Sequence, residues 1–227
     1  MQKPNNHIKA VVIVPVFNEG PILAQVVKSL LEHAYTVVVV DDGSAKPVTG
    51  LPVTILRHRV NLGQGAALQT GFAYARNLHP DVVITFDADG QHLVEDIALL
   101  LAPLINGEAD VALGSRFLPD SATQLPLAKK LVLQLARFIN FMLSGVLLSD
   151  AHNGLRALNA KALSSITLTE NRMAHASEIL FEIKKHGLRY KEIPVHIKYT
   201  DYSKQKGQSA RDSIKVLFDI VLHKLFK

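Results

Sequence analysis

A chain of 227 residues, 48% of them hydrophobic, is long enough to enclose one substantial core. It has no cysteine, which excludes disulfides and thiolate metal sites; its polar first nine residues and short apolar run Ala10–Phe17 lead us to expect no secretory leader and a cytoplasmic protein. The net charge of +5 is uneven, with eleven Lys/Arg against four Asp/Glu in residues 184–227: a basic tail suited to phosphorylated substrates or an anionic lipid surface, while the absence of Trp and of any nucleic-acid motif argues against nucleic acid as a partner.

In chain order, Ala10–Val16 reads as a buried strand. Pro21–His33 carries helical spacing at Ile22, Val26 and Leu30, with Pro21 suited to a first turn. Tyr35–Val40 is a second strand, ending in Asp41-Asp42-Gly43-Ser44, and Val53–His58 a third, followed by Asn61-Leu62-Gly63-Gln64-Gly65. Ala66–Asn77 reads as a helix, Val82–Phe86 as a strand and Leu93–Ile105 as another helix. Val111–Gly114 is a strand leading into Ser115-Arg116. Leu127–Leu148 is strongly apolar, but Lys129, Lys130, Gln134, Arg137 and Asn140 interrupt it, which favours an amphipathic helix over a membrane span. Ala176–His186 is a helix closed by Gly187, Glu192–Tyr199 a strand, and Ala210–Lys227 a basic amphipathic helix able to lie on lipid or to pack on the core.

Strand–helix units with continuously apolar strands predict an α/β fold: a mainly parallel central sheet with helices on both faces. Ligands in such sheets bind beyond the carboxyl ends of the strands. Phe17-Asn18-Glu19, Asp41–Ser44 and Asp87–Gln91 all fall there.

The run Val82–His92 ends in Asp87-Ala88-Asp89, acids at i and i+2. In extended chain they share a face. Two acids so close repel, and a divalent cation between them relieves the repulsion. Oxygen ligands suit Mg²⁺ or Mn²⁺, which fill their shells with substrate phosphates, so a nucleotide diphosphate is expected. The alternative is that both acids cap a turn closed by Gly90. Asp41 should face away from Asp42 and be structural. Gly63 and Gly65 fit either a phosphate loop or a helix start shaped by glycine, and Arg156 either a ligand contact or an ion pair with a surface acid.

Together these motifs resemble glycosyltransferase family 2, inverting enzymes of the GT-A fold, and within it the dolichyl- or polyprenyl-phosphate sugar synthases. The likeness runs from Val11 to about Ser209 and rests on Pro15–Glu19, Val40–Ser44, Asn61–Ala67, Asp87–His92, Gly114–Phe117 and Asp150–Arg156. The resemblance implies one glycosyltransferase domain over 1–227. Residues to about 115 would bind the nucleotide sugar, about 116–209 the acceptor, and 210–227 would form the C-terminal helix. Pro15, Phe17, Glu19, Val40 and Asp42 would hold base and ribose, with Asp87, Ala88 and Asp89 along the ribose and diphosphate. Asp87, Asp89 and Gln91 would take the Mg²⁺ or Mn²⁺, and Arg116 would reach the phosphates. Asp150 and Glu178 are the candidate bases.

The chain departs from the family at Lys204-Gln205-Lys206-Gly207-Gln208-Ser209-Ala210, where an Arg-x-x-Gly-x-Ser-Lys stretch is common. Lys204 keeps a charge for the donor phosphates without a guanidinium fork. C-terminal spans found in some relatives are missing, so membrane attachment is expected to be peripheral, at the cytoplasmic face. The expected reaction is transfer of a sugar from a nucleotide diphosphate sugar to a polyprenyl phosphate. The alternative acceptor is a saccharide hydroxyl in a cell-surface polysaccharide or lipid-linked oligosaccharide, which needs a base where a phosphate does not.

Overall fold

The structure, a computed structural model, describes residues 8–119, 121, 141, 145, 146, 148–151 and 153–198. Among them are the strands β1 (Ala10–Val16), β2 (Thr36–Asp41), β3 (Thr54–Arg57), β4 (Val82–Thr85), β5 (Val111–Ser115), β6 (Arg156–Asn159) and β7 (Tyr190–Pro194). The helices are α1 (Ile22–Glu32), α2 (Gln64–Leu78), α3 (Asp96–Ile105), α4 (Ala160–Ser165) and α5 (His175–Lys185). The strands form one sheet in the order β3-β2-β1-β4-β6-β5-β7. Pairing is parallel among β1 to β4 and between β5 and β7, whereas β6 runs antiparallel to β4 and β5.

The apolar strands serve two cores. Val12, Val14 and Val39 pack with Leu23, Val26, Ile97 and Leu100 of α1 and α3. Val11, Ile13 and Val38 point the other way, onto Phe72, Ile179 and Leu180 of α2 and α5. Both sets are needed because both faces are covered, so no polar alternation survives. Each fully buried Val or Leu contributes on the order of 2 kcal/mol. The helix α1 forms because Leu23, Val26, Val27 and Leu30 bury one stripe at i, i+3, i+4 and i+7.

Two elements had not been expected. β6 is four residues long and begins with an arginine, too short and too mixed to show a period. In α4 the Asn159 side chain accepts the Ala162 backbone N–H at 2.8 Å, a cap that an Asn before Ala-Lys-Ala-Leu could have signalled. β6 inserts between β4 and β5, so the later part of the chain completes the sheet begun by the first.

The last expected strand, Glu192–Tyr199, proves shorter and earlier. After Pro194, Asp96 captures His196 through its N–H (2.7 Å) and Nδ1 (2.9 Å), and Ile197 makes a lone bridge to His92. That turns the chain away from β5 and toward the acidic loop. Most of the apolar stretch 127–148, Lys204 and the C-terminal stretch 210–227 lie outside the described residues. No helix among the described residues is long and apolar enough to cross a membrane.

Candidate active site

Three loops leave the carboxyl ends of β1, β2 and β4 on the same side of the sheet. The first two lock together: Asn18 adopts a left-handed φ of 53°, its N–H donates to Ser44 Oγ at 2.9 Å, and its Oδ1 accepts the Ala45 N–H at 2.9 Å. Asp41 accepts the N–H groups of Ser44 (2.9 Å) and Val48 (3.1 Å) and faces Arg57 at 3.5 Å, the structural role its position predicts. Asp42 turns the other way. Its carboxylate takes the backbone N–H groups of Leu62 (2.9 Å) and Gly63 (2.7 Å), the Asn61 amide (2.9 Å) and His58 Nδ1 (2.7 Å). It therefore anchors the 58–63 loop as well as facing the site.

Gly63 and Gly65 shape the start of α2. Gly63 has φ +106°, and a side chain at Gly65 would collide with Glu170 O and His175 Cβ. The Ala66 N–H donates to Asn171 O at 3.1 Å, so these glycines let the helix start pack on the 170–175 loop.

A cavity of about 450 Å³ opens where the loops meet, within the range typical of small-molecule sites. Pro15, Phe17, Glu19, Asp42, Asp87, Ala88 and Asp89 line it, seven of the residues singled out in the sequence. Val16, Asn61, Gln64, Ala67 and Met173 complete the wall. Gln64 donates to Asp87 Oδ1 at 2.9 Å, and His92 Nε2 stands 3.1 Å from Oδ2. Gly154 lies against the same carboxyl group, and a Cβ there would overlap it.

The two acids behave differently. Burial opposes the ionised form of Asp87, but the hydrogen bond and charge of His92, with His175 and Arg156 beyond, outweigh it and hold the carboxyl below its usual range. Burial and then the charge of Asp87, with Glu19 also contributing, push the Asp89 carboxyl up. A cation placed between them would relieve this strain. Gln91 folds back on Asp89, its backbone N–H 3.0 Å from Oδ1 and its Nε2 2.8 Å from Oδ2. The donor set is hard oxygen, which fits Mg²⁺ or Mn²⁺. Among the described residues no three His, Asp or Glu side chains enclose an ion by themselves, so its shell would be completed by phosphate oxygens and water.

Other expected residues stand elsewhere. Val40 is fully buried in β2, in register with Pro15, and does not line the cavity. Arg116 forms an ion pair with Asp150, and neither lines the cavity. Glu178 accepts the Thr169 and Glu170 N–H groups at 2.9 and 3.0 Å. Lys204 lies outside the described residues.

Sequence reading missed several contributors. Gln64 lies within the Asn61–Ala67 motif, where it had no assigned role, and Met173 has no sequence signal at all. Arg156 does not pair with a surface acid. It is buried and donates to the carbonyls of Asn153 (3.0 Å), Ala151 (3.1 Å) and Ala176 (3.3 Å), and burial lowers its pKa to about 10.

Residues 11–167 match the family described as glycosyl transferase family 2. A UDP-N-acetylglucosamine–dolichyl-phosphate N-acetylglucosaminyltransferase of Methanococcus voltae is 32% identical, over 95% of this chain and 96% of the relative. A polyprenol monophosphomannose synthase of Mycolicibacterium smegmatis is 27% identical, over 91% of this chain and 84% of the relative. Among solved structures, mannosyl-3-phosphoglycerate synthase from Rubrobacter xylanophilus superposes with a TM-score of 0.69 at 15% identity, over 94% of this chain and 72% of the other. The fold is the GT-A arrangement expected from the motifs.

Proposed function

The chain belongs to glycosyltransferase family 2, and on that premise we propose that it moves a sugar, with inversion, from a nucleotide diphosphate sugar to a polyprenyl phosphate. One observation carries the donor half of this reading: the ends of β1, β2 and β4 gather Phe17, Glu19, Asp42, Asp87 and Asp89 around a single cavity. The acceptor half draws on the relatives named for dolichyl and polyprenol phosphates.

In this reading the base and ribose lie along Pro15, Phe17, Glu19 and Asp42, and the diphosphate lies by Asp87 and Asp89. Mg²⁺ or Mn²⁺ held by Asp87, Asp89 and Gln91 supplies charge neutralisation for the departing diphosphate when bound. A phosphate oxygen of the acceptor bonds to the anomeric carbon as the bond to the nucleotide diphosphate breaks. That oxygen is anionic near neutral pH and needs no base. The engagement of Asp150 with Arg116, and of Glu178 with the 169–170 backbone, agrees with chemistry that asks neither to accept a proton. Arg116, held by Asp150, offers a fixed positive charge for a phosphate. The basic C-terminal region would favour the face of an anionic membrane, from its cytoplasmic side.

The test is nucleotide release from a panel of nucleotide sugars, with and without undecaprenyl phosphate and divalent metal, with Asp89→Ala as control. We expect release that requires one donor, the metal and the lipid phosphate. Donor binding with release stimulated only by saccharides would replace the lipid acceptor by a glycan hydroxyl. Binding of no nucleotide sugar would overturn the reading.

A further inference from the structure

Behind Asp87 lies a second, smaller chamber of about 80 Å³ that shares Gln64, Asp87 and Met173 with the larger cavity. Leu68, Ala176 and Ile179 join Met173 in an apolar wall, and Asn153 stands with Thr85, Arg156 and His175 on the polar side. Asn153 is 3% exposed. Its Oδ1 accepts the Leu155 N–H at 2.9 Å, which fixes which way the amide points. Its Nδ2 is buried and has no hydrogen-bond partner among the described residues. An unpaired buried amide donor is costly, and such groups in folded proteins call for a ligand or water.

Size and chemistry narrow the occupant. At about 30 Å³ per water the chamber holds two or three water-sized groups, too little for a sugar ring. A phosphate would meet the Asp87 carboxylate, while the Arg156 guanidinium beside it is already engaged with the carbonyls of Asn153, Ala176 and Ala151. Water could reach Asn153 Nδ2 from the polar side of the chamber, but it would gain nothing from the wall of Leu68, Met173, Ala176 and Ile179. An acetamido branch matches both halves: its carbonyl oxygen accepts from Asn153 Nδ2, and its methyl packs on Leu68, Met173, Ala176 and Ile179.

We propose that this chamber receives the acetamido group of an N-acetylated hexosamine donor and that Asn153 selects for it. The inference rests on the reading of the larger cavity as the nucleotide-sugar site. The shared residues place the chamber next to Asp87, where the sugar end of such a donor would lie.

Calorimetric titration of the full chain with Mn²⁺ separates the two levels. Titration with UDP, GDP and dTDP comes first; if none binds, the nucleotide-sugar reading fails and takes this inference with it. On the nucleotide that binds, two donors differing only in acetamido for hydroxyl are compared, UDP-N-acetylglucosamine and UDP-glucose in the uridine case. We expect the acetamido donor to bind about 10- to 100-fold more tightly. Asn153→Leu should cut that ratio at least about tenfold while leaving affinity for the nucleoside diphosphate within about threefold. Ala176→Val fills the chamber without touching the amide and should do the same, so the test survives if Asn153→Leu fails to fold. Equal or reversed preference in the native chain, or an unchanged ratio in folded Ala176→Val, overturns the assignment while leaving the nucleotide site standing.

Discussion

Arg116 and Asp150 meet in a two-pronged ion pair, with Nε 2.6 Å from Oδ2 and Nη2 2.8 Å from Oδ1. The Arg116 backbone N–H adds a third bond to Oδ2 at 3.1 Å, and the Asp150 side chain is 1% exposed. A carboxylate so engaged orients a guanidinium. Asp150→Ala should destabilise the fold by about 3 kcal/mol, read as a lower urea midpoint at unchanged slope. Asp150→Asn keeps an acceptor for Arg116 and should lower kcat by no more than about tenfold, with KM for the anionic acceptor rising. A kcat loss of about 10²–10⁴ at unchanged KM would instead identify a general base.

Glu178 has a similar fate. Besides two backbone N–H groups it accepts the Thr169 hydroxyl at 2.5 Å, so it ties the 169–170 segment to the first turn of α5. Glu178→Gln should leave kcat within about threefold. Glu178→Ala should cost about 1 kcal/mol of stability, measured by denaturant titration.

Gly154 sits where any side chain would run into the Asp87 carboxyl group. Gly154→Ala should push that carboxylate off Gln64 and His92 and reduce metal-dependent nucleotide affinity by at least about tenfold. Circular dichroism should show the sheet and helices intact. Native-like affinity in this variant would mean that Asp87 does not position the nucleotide.

Asp89 carries a stability cost that a cation should remove. Its folded carboxyl titrates above the ordinary 3.8, so the native state holds the proton longer than the unfolded chain. Stability from this group therefore falls as pH rises through the interval above 3.8, and the cost is present at pH 7. Without metal, Asp89→Asn should melt higher than the native chain at pH 7. Adding Mn²⁺ with nucleoside diphosphate should raise the melting temperature of the native chain and leave the variant nearly unmoved.

Asp110 shows the opposite sign. Hydrogen bonds from the Arg189 side chain first, opposed by burial, then the Arg189 N–H, Asn159 and Lys161, hold its carboxyl well below the usual carboxylate range. It joins the start of β5 to the residue before β7 and to α4. The stabilisation is present above 3.8 and is lost as pH falls from there toward the lowered folded value. Asp110→Asn should cost about 2 kcal/mol at pH 7. The gap to the native chain should close below about pH 4 in acid-titrated unfolding.

Reading along the chain was sufficient for the first half of the sheet because β1, β2 and β4 are buried on both faces and therefore carry unbroken apolar runs. The acids at their carboxyl ends stood out for the same reason: charge directly after an apolar run has few uses other than a turn or a site. The opposed orientations of Asp41 and Asp42 followed from the two-residue period of a strand. β6 carries no such signal. It is a strand because β4 and β5 offer it two edges at once.

Residue type and local spacing thus determined the fold class, and the resemblance of the motifs pointed to the family and to seven of the residues around the cavity. Only tertiary packing decided which carboxylates already have partners. Asp150 meets Arg116 across 34 positions of sequence, and Gly154 meets Asp87 across 67. The chamber behind Asp87 exists because β6 and α5 bring Asn153, Ala176 and Ile179 against Leu68 of α2. Local propensity has no access to such encounters, because the energy that fixes them comes from contacts between segments far apart in the chain.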